Sequence, residues 1–120
     1  PFSGPISYVH VEDTALRFVK AAARSYEGAH VFDLDGTPCE IEELISLIKS
    51  HYSDAKIGFF GAPMPFPANA DDGRLNEFLE ISGCRSMAQG IEETLKVFDQ
   101  AKKRGIDLEL LLERIITRSY

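Results

Sequence analysis

Apolar residues in this chain recur at two different spacings, and the switches between them divide it into short elements. Residues 7–11 alternate as a β-strand does, with Tyr8 and His10 on one face and Val9 and Val11 on the other. Asp13 is placed to cap a helix, and Leu16, Val19 and Ala23 follow at helical spacing, so that stripe is expected to face the core. Glu27-Gly28 breaks the helix. His30-Val31-Phe32-Asp33-Leu34 is then a short apolar run, read as a buried strand over 29–34, and Asp35-Gly36 makes the turn after it. Thr37-Pro38-Cys39-Glu40 has the chemistry of a helix start: a capping Thr, Pro at the first position, and Glu three residues on. Ile41, Leu44, Ile45 and Ile48 share one stripe and carry that helix to about residue 50. A third short strand is expected over 56–60.

Between residues 61 and 70 the pattern lapses. Pro63, Pro65 and Pro67 alternate with Met64 and Phe66, which excludes a helix and disfavours a central strand. Such a segment is rigid and extended, suited to border a cleft. A helix over 73–81 follows. Ser86-Met87-Ala88-Gln89 is a second capping box, and Ile91, Leu95 and Phe98 mark the apolar side of a long helix ending near Gly105. Leu108, Leu111, Leu112, Ile115 and Ile116 predict a last helix over 107–118. The fold class is α/β, three short strands with about five helices in one domain spanning 1–120. Three short strands are too few for a full doubly wound sheet.

Composition narrows the function classes. A chain of 120 residues with 44% hydrophobic and 27% charged content suits one globular domain with a modest core. The net charge of −6 argues against a nucleic-acid partner, which needs a basic face. No apolar run approaches membrane-spanning length, and no charged-then-apolar leader opens the chain. Cys39 and Cys84 lack any Cys-x-x-Cys partner and read as reduced thiols of a cytoplasmic protein. Cys39 falls in the first turn of a predicted helix, where a thiolate could be stabilised, but no His or second Cys stands beside it and a structural role is expected.

Two strings imitate catalytic motifs. Phe32-Asp33-Leu34-Asp35-Gly36-Thr37 matches the nucleophile segment of haloacid-dehalogenase-like phosphatases, in which the first Asp is phosphorylated and the second moves the proton. That chemistry also needs a hydroxyl ending the next strand, and Phe59-Phe60-Gly61 supplies none. His10-Val11-Glu12 resembles the His-x-Glu of zinc deaminases, but the Pro-Cys-x-x-Cys is missing. His10, His30 and His51 show no ligand spacing, and no metal is expected.

Taken in order, Tyr8-Val9-His10-Val11-Glu12-Asp13-Thr14-Ala15, the run at His30, Asp72-Gly73-Arg74-Leu75 and Gly90-Ile91-Glu92-Glu93-Thr94 resemble the carboxyl-terminal part of extended short-chain dehydrogenase/reductases, the NAD-dependent epimerase/dehydratase family. The likeness runs from about Gly4 to Lys103. The resemblance implies a substrate-side lobe in which the strand over 29–34 lies at the edge of a parent Rossmann sheet. It implies that NAD(P) and the Tyr-x-x-x-Lys pair belong to an amino-terminal part outside this chain, which begins at Pro1 and contains neither that pair nor a Gly-rich dinucleotide loop. The chain alone is thus expected to bind no cofactor and to have no catalytic residue of its own. Candidates for contact with a small hydroxylated, sugar-like substrate are Tyr8, His10, Phe66 and Arg74. Where sugar-nucleotide epimerases carry an Arg-Asp pair before the Tyr, Ile6 and Ser7 stand here, and residues 61–70 hold no basic side chain. Two guanidiniums suited to a diphosphate are therefore missing. The expected partners are the Rossmann portion, a small-molecule substrate and, through an exposed strand or loop, a second copy. The alternatives are a phosphatase using Asp33 and Asp35, and a freestanding α/β interaction module.

Overall fold

The computed structural model describes residues 3–65, 67–110 and 113. β1 (Pro5–Tyr8) pairs antiparallel with β2 (Thr37–Glu40), with Ile6 opposite Cys39 and Tyr8 opposite Thr37. In a two-stranded sheet each strand has an unpaired edge, so Pro5 and Pro38 are accommodated without loss of a ladder bond. Thr37-Pro38-Cys39-Glu40 therefore forms a strand, not the expected helix start. The helix that follows, α2 (Ile41–His51), begins at Glu40 without a side-chain cap. Its stripe behaves as expected: Ile45 is buried, with Ile41, Leu44 and Ile48 partly so.

The fold is mixed α/β, with a smaller sheet than expected. Residues 29–34 and 56–60 are not strands, and Val31 is 89% exposed. Apolar content suits a segment to a sheet, but a strand exists only where a neighbour bonds its backbone. Among the described residues no strand pairs with either run. The described residues of the proline-rich stretch are non-helical and largely exposed; Ser3 bridges to Pro63 and donates its N–H to the Ala62 carbonyl at 3.3 Å and its hydroxyl to the Gly61 carbonyl at 3.1 Å.

α1 (Val11–Ala23) starts earlier than expected, capped by His10 and not by Asp13. Its orientation also differs from the expected one. Asp13, Arg17, Lys20 and Arg24 share one helical face, and this polar face is turned inward. Leu16 and Val19 are 47% and 65% exposed, and Ala23 is exposed as well. Opposite the polar face lies α3 (Gly73–Leu79), which contributes buried Leu75 and Leu79. α4 (Met87–Lys103) opens on the predicted capping box, Ser86 with Gln89, and ends before Gly105, whose φ of 73° lets the chain leave the helix. Helix resumes at 108–110, whereas Leu111, Leu112, Ile115 and Ile116 lie outside the described residues.

Candidate functional site

The end of β1, the start of α1 and the start of α4 enclose a cleft of about 150 Å³. Tyr8 and His10 line it from one side, Arg85, Ser86 and Gly90 from the other, and Leu44 of α2 contributes an apolar wall. His10 Nδ1 accepts the Glu12 backbone N–H at 3.3 Å. The acceptor role of Nδ1 leaves the proton of a neutral ring on Nε2, which stands 4.0 Å from the Glu93 carboxylate. The neighbourhood of Gly90 is equally close: a Cβ there would lie 3.6 Å from His10 Cδ2. Burial first, and the nearby Cys39 second, hold the Tyr8 phenol above its ordinary pKa, so it stays a hydroxyl donor across neutral pH.

Arg85 holds this corner together. Its guanidinium pairs with Asp13, with Glu12 at 2.7 Å and with Glu93 at 2.8 Å, while its backbone N–H donates to Asp13 at 2.9 Å. Burial opposes its charge, but Asp13, Glu93 and Glu12 outweigh that and raise its pKa. Donor atoms of His10, Glu12 and Glu93 lie within 4.8 Å of one another, a spacing that could suit a cation. The Arg85 guanidinium already occupies that role, so the cluster is an ion-pair network. Glu12 and Glu93 are turned toward Arg85, and a divalent ion would have to displace it.

A buried cation joins α1 to the segment 72–84. Arg17, only 3% exposed, donates to Asp72 at 3.2 Å, to the Asn76 side-chain oxygen at 3.1 Å and to Cys84 Sγ at 2.9 Å. Lys20 donates to the carbonyls of Leu79 and Glu80, and Arg24 pairs with Glu80 at 3.2 Å. Arg85 and Arg17 were not candidates in the sequence. The signal that could have found Arg17 is the polar spacing 13, 17, 20, 24, which is as regular as the apolar stripe read in its place.

The four expected contact residues do not gather in one place. Tyr8 and His10 share the cleft, whereas Arg74 lines a separate, open cleft with Arg24, His30 and Phe78. Phe66 lies outside the described residues. Cys39 sits on β2 and is buried, not in a helix turn; burial, then Glu43, pushes its thiol up, away from a reactive thiolate. Asp33 is exposed on a run that is not a strand. Burial would raise the pKa of Asp35, but hydrogen bonds from the Ser7 hydroxyl at 2.6 Å and from the Gly36 and Ala70 backbone lower it. Comparison with protein-family models, curated proteins and solved structures gives no match to this chain.

Proposed function

We propose that this chain is the substrate-binding, carboxyl-terminal part of an NAD(P)-dependent epimerase, dehydratase or reductase, acting on a sugar-like or other small hydroxylated molecule. The observation that carries the reading is the meeting of segments far apart in sequence. His10 of the Tyr-x-His-Val segment lies against Gly90 and Glu93, and Arg85 ties Asp13 to Glu93. Asp72 of the Asp-Gly-Arg segment closes on Arg17 of α1. Substrate hydroxyls would meet the Tyr8 hydroxyl and His10 Nε2–H in the cleft, with Leu44 and Ile91 as its apolar floor. The outward apolar face of α1 suits cover by the cofactor-binding part, which would supply NAD(P), the Tyr/Lys pair and the hydride chemistry.

Two measurements test this. The coding sequence before Pro1 is expected to contain a Gly-x-x-Gly-x-x-Gly loop and a Tyr-x-x-x-Lys pair, and a start codon immediately before the Pro1 codon would overturn the proposal. Calorimetric titration of the chain alone with NAD⁺ and NADH is expected to give no micromolar binding, because neither phosphate loop nor catalytic pair is present in it.

A further inference from the structure

We propose that His10 is a proton-operated latch beside the Tyr8–His10 cleft: neutral, it caps α1; protonated, it releases the first turn of α1 and turns toward Glu93. Its Nδ1 accepts the Glu12 backbone N–H at 3.3 Å, satisfying one of the donors that a helix start leaves bare. A neutral ring that accepts at Nδ1 carries its proton on Nε2, so a second proton can go only to Nδ1. Protonation therefore consumes the lone pair that caps the helix. It also sets an N–H of the ring against the Glu12 N–H, and the ring has to turn.

The acidic side chains of the first turn are engaged elsewhere. Both Asp13 carboxylate oxygens serve Arg85, one at its guanidinium and one at its backbone N–H, and Glu12 pairs with the same guanidinium at 2.7 Å. The charges around the ring set its direction. Glu12 and Asp13 of α1 and Glu93 of α4 are carboxylates, Arg85 is the guanidinium among them, and Tyr8 of β1 is an uncharged phenol. Three negative charges against one positive attract an imidazolium, and Glu93 already stands 4.0 Å from Nε2. Gly90 brings no side chain against the Cδ2 edge, where a Cβ would stand at 3.6 Å, so the ring has room to move. Because the ring also lines the cleft, the proton that releases α1 reshapes the cleft as well. The latch is read from this corner alone and stands whether or not the cleft takes a sugar-like molecule.

Long-range ¹H–¹⁵N spectra of the imidazoles and ¹³Cα shifts of the full chain, followed from about pH 8 to about pH 5, test the latch. At the upper end His10 is expected to show the Nε2–H tautomer. As the ring takes up its second proton, the Val11, Glu12 and Asp13 Cα shifts are expected to move toward coil values on the same curve, with the ratio of closed to open first turn falling about fivefold, the usual worth of a cap. His10→Asn keeps a capping side chain that does not titrate and is expected to hold these shifts constant over the range. The tautomer and the titration of the unaltered chain need no variant, so a poorly folded His10→Asn leaves the test intact. An Nδ1–H tautomer, a ring that takes up no proton by about pH 5, or first-turn shifts indifferent to its titration would overturn the proposal. So would the same movement in His10→Asn, which would place its cause in the carboxylates.

Discussion

Gly36 occupies a position that no side chain can share. A Cβ there would stand 2.0 Å from the Tyr8 carbonyl oxygen and 2.8 Å from the Val9 nitrogen, both backbone atoms that cannot swing aside. Gly36→Ala is therefore expected to force the segment away from the end of β1 and to lower stability by about 3 kcal/mol, read from urea denaturation. An unchanged midpoint would mean that the close approach is not maintained in solution. Cys39 and Tyr8 make a second test at this scale. Both groups hold their protons more tightly folded than unfolded. Their stabilising contribution is complete below the ordinary thiol range, about 8.5, and is lost as pH rises through and beyond it. The urea midpoint is expected to fall on the alkaline side, and iodoacetamide at pH 8 is expected to label Cys39 slowly until denaturant is added. Rapid native labelling of Cys39 would contradict its burial.

Each helix owes its placement to a different kind of contact. α4 is started locally: Ser86 accepts the Gln89 N–H, and the Gln89 side chain accepts the Ser86 N–H in return. Ser86→Ala is expected to cost about 1 kcal/mol, seen as a lower urea midpoint with some fraying of the first turn. α2 is placed by its apolar stripe, centred on Ile45, and by the bond from Tyr52 to Asp99 of α4 at 2.6 Å. α1 is placed by charge, through Arg17, Lys20 and Asp13, with its apolar residues left outside. Val11 and Phe18, seven residues apart on one face, are 74% and 70% exposed. Replacing both with Ser is expected to leave the stability within about 0.5 kcal/mol, because neither side chain is buried on folding of this chain.

For the whole molecule the same face predicts association. Few side chains are buried, while Val31, Phe60 and Val97 join Val11 and Phe18 at high exposure. Apolar patches of this kind on isolated chains promote association. Sedimentation of the chain at high concentration is expected to show species larger than a monomer, together with binding of a hydrophobic dye. The Val11→Ser, Phe18→Ser variant is expected to reduce both. A clean monomer without dye binding would mean that these surfaces are content in water, and the need for a covering domain would lose its physical support.

The residues alone determined what short-range chemistry can decide. The capping box at Ser86 and Gln89, the stripe of α2, the helix at Gly73, the exit at Gly105 and the breaking of regular structure by Pro63, Pro65 and Pro67 all follow from groups within a few positions of each other. The alternation read over residues 7–11 does not carry through, because β1 ends at Tyr8 and His10 caps α1. Tertiary structure alone decided which face of α1 turns inward, because apolar and polar stripes are equally regular there and only Asp72, Asn76, Glu80 and Arg85 make the polar one the favourable side to bury. It also decided that Thr37–Glu40 is a strand while residues 29–34 are not. A strand is completed by a neighbour's backbone: Pro5–Tyr8 provides one for the first, and among the described residues nothing provides one for the second.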